Sequence, residues 1–366
     1  MPKISVALIV RNEAENIATC LNSVREHVDE IVVVDTGSTD DTKEIVSQFT
    51  DRIFDFVWCD DFGKARQYAF DQATGDWVFW MDADDILVGG EHLRGEIEAV
   101  PPETTEIQWK YIYIVNGAVV LEHWRERCVR NDGSYRWFGR VHETLDTTQA
   151  KVRFFSQQVY LEHHQKHLAT RSRRNLNILE AEYAELGTAI SARSLFYLGN
   201  EYMDNAEWEK AVEHYRLYLQ KGTWQDERYL AAIRLARSLR NLKRFDEALD
   251  AYLSALKERP EFPHAYFGLA EIYYYLQAWD RVIHWVEIGE RMPPPVTTLF
   301  LIRAEWEYDW IIYYTNALYH VGRLQDALEW TDYALNLRPE DAYHLSNKKF
   351  FLSRVDALIR SQMNAY

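Results

Sequence analysis

Residues 81–85, Met-Asp-Ala-Asp-Asp, follow directly on the apolar run Trp77-Val78-Phe79-Trp80. Two carboxylates about 4 Å apart repel by about 4 kcal/mol at an effective dielectric of 20. Three acids within positions 82–85 therefore ask for a positive partner or for open water. On an extended strand Asp82 and Asp84 share one side, because successive side chains alternate, and a divalent cation can reach both. Hard oxygen donors suit Mg²⁺ or Mn²⁺, and an ion held there would bind phosphate in turn. Asp35 ends another apolar run, EIVVVD, and adds a further acid of the same kind. The bland alternatives are a solvated aspartate-rich turn at 82–85 and a helix-capping turn residue at Asp35.

These acids need elements to hold them. ISVALIV (4–10) and EIVVVD (30–35) are β-branched apolar runs, as strands buried on both faces should be. Further strands are expected at 53–58 and 76–82. Helices are expected between them, the first over 12–27 with Asn12 as its cap and Glu15 completing a capping box. The second follows Ser38 or Thr39, with Asp40 and Asp41 in its first turn, and the third runs over 63–74 to Gly75. Strand–helix alternation of this kind predicts a mostly parallel α/β sheet covered by helices, with ligands beyond the carboxyl ends of its strands. Asp35, Asp82 and Asp84 all fall at such ends. Residues 100–165 are aromatic and β-branched, with turn signals at Asn116-Gly117 and Asn131-Asp132-Gly133. They are expected to add antiparallel strands to the same domain.

The chain has 366 residues, 47% hydrophobic and 14% aromatic, so it can fill two or three cores. Its formal charge of −16 makes nucleic acid and anionic lipid poor partners. Cys20, Cys59 and Cys128 are scattered and odd in number, which fits a reducing, cytoplasmic setting better than a disulfide framework. The first apolar run, Ile4 to Val10, is too short for a signal peptide or a membrane span, and no later stretch reaches membrane length without charges.

From about residue 170 the pattern turns helical and repetitive. Anchors at Ala211, Ala248, Val282 and Ala327 stand 37, 34 and 45 residues apart. Pro260, Pro294 and Pro339 each follow an anchor by 12 residues, and Leu198-Gly199, Leu235-Ala236 and Leu269-Ala270 precede the first three at a fixed offset. This resembles the tetratricopeptide repeat, a helix–turn–helix unit of about 34 residues. The last unit departs from it, with Tyr314-Thr315 in place of the small pair and an insert near 295–308. The expected division is 1–168 and 169–366.

SVALIVRNEAENIATCLNSV, EIVVVDTGSTDDT and GDWVFWMDADD resemble, in order, the three N-terminal signatures of the family 2 glycosyltransferases with the GT-A fold. The likeness is close over 3–90 and loose to 165. It implies transfer of a sugar from a nucleotide-sugar donor, a UDP-sugar being favoured, with Mn²⁺ or Mg²⁺ as cofactor. By that resemblance Asp35 contacts the nucleobase or ribose, Asp82 the ribose, and Asp84 the metal. Asn12 and Glu13, in the first signature, fall on the donor side. DDFGKARQYAF and GRVHETL resemble a subset of the family that carries tetratricopeptide repeats and includes enzymes that glycosylate peptides. There Lys64 and Arg66 are cationic partners near the donor, and Glu143, after Arg140 and His142, is the expected base, with Asp146 and Asp85 behind it. His163, on the side of its strand shared by Val159 and Leu161, is the expected third metal ligand, with His164 facing away. Among Arg125, Arg127 and Arg130, Arg127 is placed at the diphosphate. The acceptor is a peptide or protein held with help from the repeats, or a glycan, lipid or nucleic-acid base. Repeats that only dimerise the chain, and a repeat scaffold with a degenerate transferase domain, are the alternatives. A haloacid-dehalogenase-type phosphotransferase is disfavoured, because it needs its nucleophilic aspartate after the first strand, where this chain has Val10-Arg11-Asn12.

Overall fold

The apolar runs that read as strands form one sheet in a computed structural model of the chain, which describes residues 1–115, 117–148, 150–165, 173–297, 299 and 301–363. Asn116 of the first expected turn and the expected 168/169 boundary lie outside these residues. The chain divides into two units, Met1–Ile190 and Ser191–Tyr366.

In the first unit the order is β1 (Ile4–Val10), α1 (Ile17–Val24), β2 (Glu30–Asp35), α2 (Thr42–Val46), β3 (Ile53–Asp55), α3 (Phe62–Gln72), β4 (Trp77–Met81) and β5 (Asp85–Val88). Then come α4 (Gly90–Ala99), β6 (Thr104–Val115), β7 (Ala118–Arg130), β8 (Trp137–Phe138), β9 (Thr144–Leu145), β10 (Val152–Gln165) and α5 (Arg174–Leu186). Eight strands join in the order β3-β2-β1-β4-β7-β6-β10-β5, and β8 pairs with β9 separately. β1 to β4 are mutually parallel, and β7 and β5 run against their neighbours. This is the mostly parallel sheet with antiparallel additions that the GT-A resemblance implies. Alternation divides β1 between two cores. Val6 and Leu8 pack with Ile17 and Leu21 of α1, and Ala7 packs with Ala69 and Phe70 of α3.

Four details differ from the sequence reading. β10 pairs antiparallel only with the edge strand β5 and runs parallel to β6. The cause is topological: β7 ends beside the start of β6, the connection carries the 139–143 loop to the first turn of α3 and then returns, and β10 begins at Val152 opposite Thr104. α1 starts at Ile17, not after Asn12. Asn12 has φ 57°, a left-handed conformation outside the usual N-cap range, and Asn16 precedes the helix instead. β3 stops at Asp55. β4 stops at Met81, so Asp82 and Asp84 lie in a turn rather than on one face of a strand.

The second unit stacks helical hairpins α6–α7 (Ala192–Asp204, Trp208–Lys221), α8–α9 (Gln225–Asn241, Phe245–Glu258) and α10–α11 (His264–Tyr275, Trp279–Gly289). The short α12 (Ala304–Glu307) falls in the expected insert, before α13–α14 (Ile311–His320, Leu324–Leu337) and α15 (Ala342–Met363). All four repeat anchors, Ala211, Ala248, Val282 and Ala327, are fully buried. Gly199 shows why the first helix of a pair needs a small residue: an added Cβ would stand 2.8 Å from the ring of Tyr215 on the second. No helix among the described residues is long and apolar enough to cross a membrane.

His264, at the start of α10, is buried, and neither ring nitrogen has a hydrogen-bond partner among the described residues. Burial, with Glu305 opposing and Arg237 adding to it, lowers its pKa to about 4. A depressed histidine contributes stability that is complete above its unfolded pKa of about 6.5 and is lost as pH falls toward the folded value. Between pH 7 and pH 5 that loss is about 2 kcal/mol. Urea denaturation at the two pH values should therefore show a difference about 2 kcal/mol smaller for His264→Gln than for the wild-type chain.

Candidate active site

The turn after β4 is closed by the Asp85 N–H donating to the Asp82 carbonyl (3.1 Å), while the Asp82 N–H donates to Asp85 Oδ2 (2.9 Å). The Cys20 thiol of α1 donates to the same Asp82 carbonyl (3.3 Å). The backbone therefore fixes where each of the three acids points, and each meets a different environment.

Asp82 faces Arg66 of α3, whose Nη2 donates to Oδ1 at 2.5 Å. Burial alone would raise the Asp82 pKa, but Arg66 and Arg127 outweigh it and hold the carboxyl down at about 2. The Nε of Arg66 donates to Glu143 Oε1 (2.6 Å), so one buried guanidinium joins Asp82 to the 139–143 loop. Arg66 also lies over the rings of Trp80 (4.6 Å) and Trp137 (5.3 Å). Its Nη1 has no hydrogen-bond partner among the described residues. The loop is seated on the first turn of α3. The N–H groups of Phe62 and Gly63 donate to the carbonyls of Arg140 (2.9 Å) and Gly139 (3.2 Å). Gly63 is required for that approach, since a Cβ would fall 2.7 Å from the Gly139 oxygen.

Asp85 is fully buried and its oxygens are taken. Oδ1 accepts from the Tyr111 hydroxyl (2.7 Å) and lies 2.9 Å from His163 Nδ1, and Oδ2 lies 3.8 Å from Arg127 Nη1. His163 is opposite Asp85 across the β10–β5 pair. Burial alone would lower the His163 pKa, but Asp85, Asp84 and Asp82 raise it overall. Asp84 lies 3.4 Å from the same ring nitrogen and, among the described residues, makes no ion pair with an arginine or lysine. Burial, with Asp82 and Asp85 adding to it against His163, raises its pKa to about 6. Asp84, Asp85 and His163 bring one donor atom each to within 4.8 Å of one another. Asp84 and His163, with Asp85 held behind the ring, offer a carboxylate and an imidazole to a divalent cation, and Asp84 is the acid whose charge is least compensated among the described residues.

Asp82, Asp84, Glu143 and Arg66 line one cleft of about 380 Å³, with Glu13, Thr36, Trp80, Arg125 and His142, and with Arg174 and Asn175 of α5. Asp35 is buried at the end of β2 beside Thr36, and its carboxylate accepts from the N–H groups of Gly37 (3.1 Å) and Ser38 (3.0 Å). Asn12 ties the loops after β1 and β2 together, Oδ1 accepting from the Thr39 N–H (2.8 Å). Lys64 is 68% exposed, pairs with Asp61 (3.4 Å) and does not line the cleft. Asp146 caps its own turn, accepting from Thr148. Arg127 is absent from the cleft wall, where Arg125 stands instead. Cys128 pairs with Ile107 and Glu126 with Gln108, which leaves Arg127 as the extra residue of a β-bulge and turns its side chain inward. Tyr111 is a site residue that the sequence did not single out. Its strand was legible, but its neighbours follow from a sheet order that no local pattern encodes.

The sequence profile described as "Glycosyl transferase family 2" matches residues 5–158. A TPR repeat-containing protein of Synechococcus elongatus is 42% identical over 100 residues, 27% of this chain and 25% of that protein. The SPbeta prophage-derived glycosyltransferase SunS of Bacillus subtilis is 28% identical over 227 residues, 58% of this chain and 52% of that one. A protein of Rickettsia felis named "Uncharacterized glycosyltransferase" is 27% identical over 231 residues, 61% of this chain and 77% of that one. The chain thus spans about a quarter and about half of the length of the first two. With the three acids and the cleft at the carboxyl ends of strands that the profile covers, residues 5–158 are a family 2 glycosyltransferase domain, followed in the chain by tetratricopeptide-like repeats.

Proposed function

We propose that the chain transfers a glycosyl group from a nucleotide-sugar donor, a UDP-sugar, to a nucleophilic acceptor with inversion at the anomeric carbon. The observation that carries this reading is the separation of roles in one cleft. Asp84, beside His163, is the acid of the turn with the least positive charge around it among the described residues, and Glu143 faces the same space from the opposing loop. Asp84 and His163 would hold Mn²⁺ or Mg²⁺, with Asp85 orienting the histidine. When bound, that ion supplies positive charge for the diphosphate that departs.

The chain's own groups do the rest. Arg66 holds Glu143 by Oε1, and among the described residues Oε2 accepts no hydrogen bond, so it is the oxygen that takes the acceptor's proton. The acceptor oxygen or sulfur forms its bond to the anomeric carbon as the bond to the donor phosphate breaks, and the electron pair leaves with the nucleoside diphosphate. Arg125, half-buried on the cleft wall, adds positive charge on the leaving-group side. Thr36 lines the wall where the nucleoside would sit, and Asp35, buried beside it, is committed to the turn that shapes that wall. Asp82 stays paired with Arg66 and meets the ribose. The acceptor is a peptide or protein engaged by the repeats, whose stacked helices are suited to hold extended chain. The free thiols of Cys20, Cys59 and Cys128 are consistent with a cytoplasmic site of action.

UDP with Mn²⁺ should raise the melting temperature of the wild-type chain, and Asp84→Ala should abolish that rise. Glu143→Gln should keep the rise and lower glycosyl transfer, or donor hydrolysis where the acceptor is missing, by about 10²–10⁴-fold. Absence of any shift with UDP-, GDP- or dTDP-sugars would contradict the reading.

A further inference from the structure

Arg127 is unusual in two ways. Its side chain is 0% exposed, and it has no carboxylate nearer than 3.8 Å. Nη1 reaches the Trp80 carbonyl at 3.4 Å, while Nε and Nη2 have no hydrogen-bond partner among the described residues. Its guanidinium is instead held between two rings, 3.5 Å from the centre of Trp80 and 4.0 Å from that of Tyr111. A buried cation with so few partners is costly unless its surroundings demand positive charge. Here the demand is the aspartate turn. The β-bulge places the cation behind that turn, away from the cleft wall where Arg125 stands.

Tyr111 is the other half of the arrangement. Its ring is one face of the Arg127 sandwich, and its hydroxyl lies 2.7 Å from Asp85 Oδ1 and 3.0 Å from His163 Nδ1. Asp85, His163 and the tyrosine hydroxyl therefore form a closed triangle whose third side is 2.9 Å. The Asp82 N–H locks the remaining Asp85 oxygen to the turn. A histidine that ligates a metal through one ring nitrogen commonly donates the other to a carboxylate, itself held by further hydrogen bonds; Asp85 and Tyr111 meet Nδ1, so Nε2 is the nitrogen that would meet the ion.

We propose that Tyr111 and Arg127 are positioning residues for divalent-cation binding, acting through Asp85, which they hold fixed so that His163 is presented to Asp84. Asp85 is thereby the hinge of the site, and neither its base nor an acid open to an acceptor. This rests on the metal-site reading above and adds to it the residues that make the site rigid.

The test is Mn²⁺ affinity, measured by calorimetry on the full chain without nucleotide or acceptor. Tyr111→Phe removes only the hydroxyl and should weaken Mn²⁺ binding about tenfold or more. Tyr113→Phe is the control, because Tyr113 packs against the His163 ring (5.1 Å) and its hydroxyl makes no hydrogen bond among the described residues. It should bind Mn²⁺ within about twofold of wild type. Arg127→Met, where circular dichroism shows it folded, should also weaken binding. Its loss combined with Tyr111→Phe should be smaller than the product of the two, as for residues acting through one partner. If Arg127→Met does not fold, Tyr111→Phe decides alone. Wild-type affinity in Tyr111→Phe, or an equal loss in Tyr113→Phe, overturns the assignment. Failure of the wild-type chain itself to take up Mn²⁺ overturns the metal-site reading, and the assignment with it.

Discussion

Three carboxylates in a four-residue turn set the constraint that the rest of the catalytic unit satisfies. Repulsion of about 4 kcal/mol per close pair would unravel the turn if all three were left to themselves. The chain meets most of it from within. Arg66 pairs with Asp82, and Tyr111, His163 and Arg127 surround Asp85. Asp84 is left over, with its pKa raised to about 6 by burial and by its two neighbours. An external cation therefore has one acid to satisfy rather than three. Buried ion pairs add little net stability, because desolvation offsets the attraction, so this arrangement is better understood as preparation of a site than as reinforcement of the fold.

Holding those groups requires parts distant in sequence. Arg66 comes from α3, Glu143 from the loop seated on that helix, Tyr111 from β6, Arg127 from β7, and His163 from β10. The sheet order β4-β7-β6-β10-β5 brings them together, and it returns β5 to the far edge only a few residues after β4 has ended. The chain thus crosses from the middle of the sheet to its rim within the aspartate turn itself. That crossing lets the turn be reached from both sides, by Arg66 from one and by His163 from the other. It also explains why the strand must break at Asp82.

Much of this was legible in the residues. The first two strands fall where β-branched runs place them, the fully buried repeat anchors stand where the spacing puts them, and His163 shares the buried side of its strand with Val159 and Leu161. Three things were not. Alternation put Asp82 and Asp84 on one strand face, but a turn begins after Met81, and an apolar run does not announce its last residue when the next is an aspartate. Alternation also makes Arg125 and Arg127 equivalent, and a bulge, which adds one residue to one strand, separates them. Asn12 has the chemistry of a helix cap, yet its left-handed backbone and its bond to Thr39 make it a clamp between loops. Each miss came from a tertiary contact overriding a local preference.

The most direct test compares the two acids that sequence alone treats alike. Mn²⁺ binding followed by electron paramagnetic resonance on Asp82→Asn and Asp84→Asn would distinguish an acid already satisfied by Arg66 from one waiting for an ion. The account predicts that Asp84→Asn loses binding by about two orders of magnitude, as for a direct ligand. Asp82→Asn should stay within several-fold of wild type. Equal losses in both, or a greater loss in Asp82→Asn, would contradict it.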